Sequence, residues 1–200
     1  MHLILASQSP RRAALLRQVG LDFSIMPSHV DEGNAPMDDA LAHVHFLAEA
    51  KAAEVAAGDV NGLVIGSDTV VVLDGHILGK PRSEREALSM LEALSGRSHA
   101  VYTGLCLVDT AGGSITEAEK TLVHFRPVAR WEIEDYVASG GPMDKAGAYG
   151  IQERAGLFVS GIEGDYHNVM GFPLTRFFDM WQRFSGKEAV RSTWKVGPLS

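Results

Sequence analysis

One cysteine in 200 residues leaves Cys106 nothing to pair with. A disulfide framework is therefore excluded, and a reducing compartment, the cytoplasm, is the expected setting. Cys106 lies in an apolar run, where a lone thiol reads as part of a core. No uninterrupted apolar run approaches the roughly 20 residues of a membrane span. The apolar stretch His2 to Ala6 is short, and its arginines come after it rather than before it, the reverse of a secretory leader. Positive charge is also scarce. The formal net charge is −7, so the basic excess that marks a nucleic-acid binder is missing. An acidic chain can still bind an anion where its few cations converge on one cleft. No internal repeat, low-complexity segment or Walker-type phosphate loop is present. No Ser-His-Asp or Cys-His arrangement stands out. His43 and His45 are two apart on a helix, face different ways and make no metal set.

What is present is an ordinary globular composition, 46% hydrophobic and 22% charged. Leu3 to Ala6 reads as a short buried strand. Pro10 suits the first position of a helix whose apolar face is Leu15, Leu16 and Val19, ending at Gly20. A strand is expected over Asp22 to Met26, and a helix over 36–57 with a stripe at Leu41, Val44, Ala48 and Val55. Leu63 to Leu73 is the strongest strand signal, and Asp74-Gly75 turns it back through His76 to Leu78. Ser83 and Glu86 form a capping box that opens a helix ending before Gly96. Strands over 99–109 and 115–125, a helix over 130–139, a glycine-rich loop over 140–156, a strand near 157–162 and an amphipathic helix over 173–184 complete the pattern. This irregular alternation predicts an α/β fold with a mixed central sheet flanked by helices. One domain is expected over 1–185, with a loosely held tail, 186–200, after it.

Several residues break local rules. Arg11 and Arg12 fall in the first turn of a helix, where the macrodipole already places positive charge. They are either solvated surface cations or half of a polyphosphate site, the other half being the free N–H groups of the helix. Asp68 interrupts a Val/Ile-rich strand on the face of Val70 and Val72, with Thr69 on the opposite face. It is either a carboxylate bonded to backbone at a bulge or one that meets a metal, a lysine or water. Lys51 lies on the apolar stripe of its own helix, as a snorkelling side chain or as a cation aimed into a cleft. Lys80 stands between Gly79 and Pro81 in a stiffened loop. Glu32, in a polar loop, is a surface acid or a ligand for Mg²⁺, which prefers one or two carboxylates with phosphate oxygens. Gln152 closes a run with three glycines nearby, and its amide can match the N3–H and carbonyl edge of uracil or thymine.

In this order, these residues resemble the Maf family of nucleotide pyrophosphatases, within the inosine-triphosphatase-like superfamily. The stretches that carry the likeness are LASQSPRR (5–12), VDE (30–32), EAKA (49–52), GSDTVV (66–71), LGKPRS (78–83), DKAGAYGIQ (144–152) and YHNVMGFPL (166–174). Thr69 after Asp68 and the string DKAGAYGIQ resemble the subgroup acting on dTTP and UTP rather than the one acting on 7-methyl-GTP. The resemblance implies a two-lobed fold with a cleft, a divalent metal such as Mg²⁺ or Mn²⁺, and often a homodimer. It implies that Asp68 is the catalytic base and that Arg11, Thr69 and Gln152 set substrate choice. Ser7, Arg12, Lys51 and Lys80 would hold phosphates, and Glu32 would help hold the metal. The competing expectation is a nucleotide-binding regulator of cell division that does not turn its ligand over.

Overall fold

The computed structural model describes residues 1–194. One mixed sheet runs through it. Its strands are β1 (Leu3–Leu5), β2 (Ser24–Ile25), β3 (Leu63–Leu73), β4 (His76–Leu78), β5 (Ser98–Asp109), β6 (Ser114–Phe125) and β7 (Val159–Glu163), in the spatial order β2-β1-β3-β5-β6-β7 with β4 beside β3. β1 is parallel to β2 and β3; β4, β5, β6 and β7 pair antiparallel. The β3–β4 turn has Asp74 and Gly75 both at positive φ, 51° and 79°, as a two-residue hairpin requires.

The helices are α1 (Pro10–Gln18), α2 (Ala40–Ala56), α3 (Glu84–Leu94), α4 (Arg130–Ala138), α5 (Tyr166–Val169), α6 (Leu174–Ser185) and α7 (Lys187–Thr193). α2 starts four residues later than its apolar pattern suggests. The Asp39 carboxylate accepts from the N–H groups of Leu41 and Ala42 and fixes the first turn there. The expected strand near 157–162 is divided: Arg154–Phe158 forms a 3₁₀ turn, and the strand begins at Val159. The segment expected to be a loose tail is ordered through Trp194. Val190 is buried, and the Trp194 indole donates to the Val19 carbonyl at 2.7 Å, so α7 seals the end of α1. The remaining part of that tail, 195–200, lies outside the described residues.

The topology of β3 creates the cleft. On one edge β3 pairs with β5 along nearly its whole length. On the other edge it pairs with β1 through Leu63, Val64 and Ile65, then with β4 through Val71, Val72 and Leu73. Between these partners, residues 66–70 have no strand beside them. The same break shows in the side chains of one sheet face. Leu63 and Ile65 join a core with Leu105, Leu107, Phe172, Phe177 and Trp181, beneath α1 and α6. Val71 and Leu73 join a second core with Leu91, Val101, Phe125, Tyr136 and Phe158, beneath α3 and α4. Ser67, Thr69 and Thr103 are buried or nearly so between the two cores, a polar belt across an otherwise apolar surface. The protein thus has two lobes on one continuous sheet.

Candidate active site

The other face of β3 carries Asp68, and α2 lies directly over it. Two glycines permit this approach. A Cβ on Gly66 would stand 2.1 Å from the Ala48 carbonyl oxygen, and one on Gly104 would stand 2.2 Å from that of Val44. Gly104 is the register partner of Asp68 on β5, so the helix backbone is lowered at the point where the carboxylate stands. Lys51 Nζ reaches Asp68 Oδ1 at 2.7 Å and Glu32 Oε1 at 2.6 Å. Two carboxylates grip one ammonium, which leaves that spot with one net negative charge. Burial pushes the Glu32 carboxyl up, but the hydrogen bond and charge of Lys51, with Lys80 and Arg12 farther off, outweigh it and hold the group below its ordinary range.

His43 shares this face. Its Nδ1 donates to the Pro36 carbonyl at 2.8 Å, and its Nε2 stands 3.8 Å from Asp68 Oδ2. Sequence spacing correctly separates His43 from His45, but dismisses both. What spacing cannot show is that β3 passes beneath the first of them.

Across the gap in the sheet lies Arg12, only 9% exposed. Its Nε donates to Gly171 O (2.9 Å), Nη1 to Ser7 Oγ (3.1 Å) and Ser67 O (2.8 Å), and Nη2 to Thr69 Oγ1 (3.0 Å). Ser67 belongs to the unpaired stretch of β3, so a side chain supplies the bond that a neighbouring strand would have made. Every one of these acceptors is neutral. Among the described residues no carboxylate pairs with Arg12. Burial pulls its guanidinium below the ordinary value, while Asp68 pulls in the other direction. A buried guanidinium facing a cleft without a counter-ion is costly, and an anion there would relieve the cost.

α1 points its N-terminus at the same place. Ser9, its capping residue, makes no side-chain cap, and no acidic residue occupies the first turn. The free N–H groups at this end therefore meet arginine rather than carboxylate, an arrangement suited to phosphate. Arg11 crosses to the second lobe and donates to Asp144 at 3.0 Å.

All nine residues singled out from the sequence line one cleft of about 610 Å³: Ser7, Arg11, Arg12, Glu32, Lys51, Asp68, Thr69, Lys80 and Gln152. Lys80 is exposed at the rim. Gln152 is exposed there too, and its amide makes no hydrogen bond among the described residues. Sequence spacing missed His43 and Lys145, which also line the cleft. Lys145 is nearly fully buried, held by Gly141 O at 2.6 Å, Asp144 Oδ1 at 2.7 Å and Glu153 Oε1 at 3.1 Å. A larger hollow, about 1110 Å³, lies elsewhere, between β6 and α6, and includes none of these residues.

A cleft of about 610 Å³ between two lobes of a mixed α/β sheet, lined by several cations and one buried carboxylate, has the charge and size that suit an anionic small molecule. Comparison with known proteins narrows this class. Residues 2–184 match the family model described as Maf-like protein, and the chain belongs to that family. It is 52% identical over 176 residues to the dTTP/UTP pyrophosphatase of Moorella thermoacetica, covering 87% of this chain and 90% of the relative. It is 50% identical over 172 residues to the dTTP/UTP pyrophosphatase of Thermococcus onnurineus, covering 86% and 92%. Among solved structures, a HAM1 protein from Coxiella burnetii has a TM-score of 0.45 at 15% identity, covering 78% of this chain and 91% of that one.

Proposed function

We propose that this protein hydrolyses dTTP and UTP to the nucleoside monophosphate and pyrophosphate. The observation that carries this reading is that four cations, Arg11, Arg12, Lys51 and Lys80, line the cleft that holds Asp68, one of them buried without a carboxylate partner. A triphosphate supplies the missing anion. Half-identity to relatives named for this activity, over most of both chains, supports the choice of pyrimidine triphosphates.

In this mechanism Asp68 orients a water and accepts its proton as the water attacks, in line, at the α-phosphorus. Arg12, fixed by its bonds to four separate residues, needs no reorganisation to meet developing charge, so its contribution is preorganised. Arg11, Ser7 and Lys80 hold phosphate oxygens, Lys80 from the rim and Ser7 from beside Arg12. Lys51, 2.7 Å from Asp68 Oδ1, holds the carboxylate in place. Arg11, Thr69 and Gln152, which all line the cleft, set substrate choice.

A divalent cation such as Mg²⁺ or Mn²⁺ fits the donor set. Glu32 and Asp68 offer two carboxylates, and among the described residues no cluster of three or more His, Cys, Asp or Glu forms. A hard cation held by one or two carboxylates draws its remaining ligands from phosphate oxygens and water. Bound there, the ion would shield phosphate charge during attack.

No helix among the described residues is long and apolar enough to cross a membrane. The reading assigns the protein to the cytoplasm, with a nucleotide rather than a nucleic acid as its partner and a homodimer as its assembly. One experiment tests the activity: incubation with dTTP, UTP, CTP, ATP and GTP, with Mg²⁺ or Mn²⁺ and with chelator, then phosphorus NMR of the products. Pyrophosphate and monophosphate from dTTP and UTP are expected. Orthophosphate as the primary product overturns the cleavage site, and tight binding without turnover identifies a nucleotide-binding regulator instead.

A further inference from the structure

The loop that presents Gln152 is held by an unusual anchor. It leaves α4 through the turns at 140–145, forms a 3₁₀ turn at Ala146–Ala148 and runs on through Tyr149, Gly150 and Ile151. Two attachments of this loop are ordinary. Asp144 meets Arg11, and Gly147 N–H donates to the Gly79 carbonyl at 3.0 Å, tying the loop to the one that carries Lys80. A third attachment is not. Ala148 is fully buried at φ 60°, a left-handed conformation that is unfavourable for a residue with a Cβ. Something must hold the chain in it.

The next residue, Tyr149, is driven into the core of the second lobe. Its ring meets Phe125 edge-on at 4.9 Å and His99 edge-on at 5.3 Å, and His99 meets Phe125 at 5.0 Å. Its hydroxyl shares a 2.8 Å hydrogen bond with His99 Nε2. Both side chains are buried, and His99 Nδ1 has no partner among the described residues. No assignment of protons satisfies this pair. If the tyrosine hydroxyl donates to Nε2, then Nδ1 carries an N–H buried with no acceptor. If Nε2 donates, the tyrosine O–H has no acceptor. An apolar pair would fill the same space without an orphaned atom, so the polar pair is not explained by packing stability. What a hydrogen bond adds to packing is direction. It fixes the depth and rotation of Tyr149 and, through Gly150 and Ile151, the approach of Gln152.

We propose that His99 and Tyr149 together act as positioning residues for base selection, holding the Gln152 loop in the one conformation that distinguishes uracil and thymine from cytosine. This rests on the dTTP/UTP reading of the site and extends it to two residues that hold no phosphate. Neither residue is required for attack at phosphorus. An unlocked glutamine can turn its amide to suit either the N3–H of uracil or the N3 acceptor of cytosine. A glutamine presented at one depth and angle reaches one base edge well and leaves polar groups unpaired against the other.

The test uses the full chain and its Tyr149→Phe, His99→Phe and His99→Gln variants, with kcat and KM measured separately for UTP and CTP. Tyr149→Phe removes one oxygen atom and keeps the ring cluster, so it stays informative if a change at His99 prevents folding. The expected result is a KM for UTP raised about tenfold in Tyr149→Phe and His99→Phe, with kcat little changed. The ratio of kcat/KM for UTP over CTP should fall by a similar factor. His99→Gln, which can still reach the tyrosine hydroxyl, should restore much of that ratio. A merely structural role would lower both nucleotides alike and leave the ratio intact, and that result overturns the proposal while the pyrophosphatase reading stands. A wild-type protein with no preference for UTP over CTP removes the base selection itself, and the proposal falls with it.

Discussion

Two of the hollows on the described surface differ in their guanidinium groups: the smaller holds a buried one with no carboxylate partner, and the larger does not. The larger, between β6 and α6, contains Arg176, whose Nε bonds Glu119 at 2.7 Å and whose Nη1 bonds Glu117 at 2.8 Å; Arg183 pairs with the same Glu117. Each guanidinium there has its carboxylate. The smaller cleft contains Arg12, four of whose five N–H groups go to neutral oxygens, and Lys80, which pairs with nothing among the described residues. Volume favours the first hollow as a binding site and electrostatics favours the second. A matched ion pair offers an incoming phosphate little, because a bond already made must be broken, whereas an unmatched cation gains a partner.

The contrast can be broken most sharply at Asp68. Asp68→Asn keeps the shape and removes the proton acceptor. Turnover should fall by about 10²- to 10⁴-fold while nucleotide still binds. A steady-state pyrophosphate-release assay checks this, and retention of more than about a tenth of the rate removes Asp68 from the role of base.

The next effect concerns stability rather than turnover. Burial moves His99 from its ordinary 6.5 down to about 4, with the charge of His124 contributing. Between those values the unfolded chain binds a proton at this position and the folded chain does not, so stability rises with pH across the window. Relative to pH 7, acidification through 6.5 toward 4 should cost on the order of 3 kcal/mol at this residue. Urea denaturation at pH 7 and pH 5 should show a slope that His99→Gln removes; equal slopes in both proteins would assign the loss to other groups.

Smaller again is Lys80→Ala, which should weaken triphosphate binding about tenfold and monophosphate binding less, since one charge-assisted contact is lost. Isothermal calorimetry with UTP and UMP separates the two, and equal losses would remove Lys80 from the phosphate contacts. The smallest effect belongs to the other hollow. Arg183→Ala should leave kcat/KM unchanged and alter stability by less than about 1 kcal/mol, as expected of an exposed ion pair. A loss of activity there would mean that the larger hollow takes part in function.

The sequence made some of this legible because the residues concerned violate a pattern. A carboxylate among Val and Ile, and a lysine on an apolar helical stripe, are visible without coordinates, and the structure brings Asp68 and Lys51 within 2.7 Å. The order of strands and most helices is readable from periodicity and turn dipeptides in the same way. Arg12 is half legible. Its place in the first turn of α1 can be read, but two of its four partners are the backbone carbonyls of Ser67 and Gly171, and backbone atoms carry no residue identity. The gap in the sheet edge is hidden for a related reason, since it arises from which strands lie beside β3 and not from the residues of β3. The His99–Tyr149 pair is illegible because its members are 50 positions apart, each an ordinary aromatic in an apolar setting. α7 escapes detection because seven residues give too few turns for a periodic signal.

The bonds of Arg12 also set an order of events in time. They reach 55, 57 and 159 positions along the chain, to Ser67, Thr69 and Gly171. Contacts between such distant residues close late, after local helices and hairpins have formed. During synthesis the bond from Arg12 to Gly171 cannot form until at least 171 residues have been made. On refolding, the return of activity should therefore trail the return of helical signal. A half-made chain can form its hairpins while its buried arginine still lacks one of the four bonds that fix it.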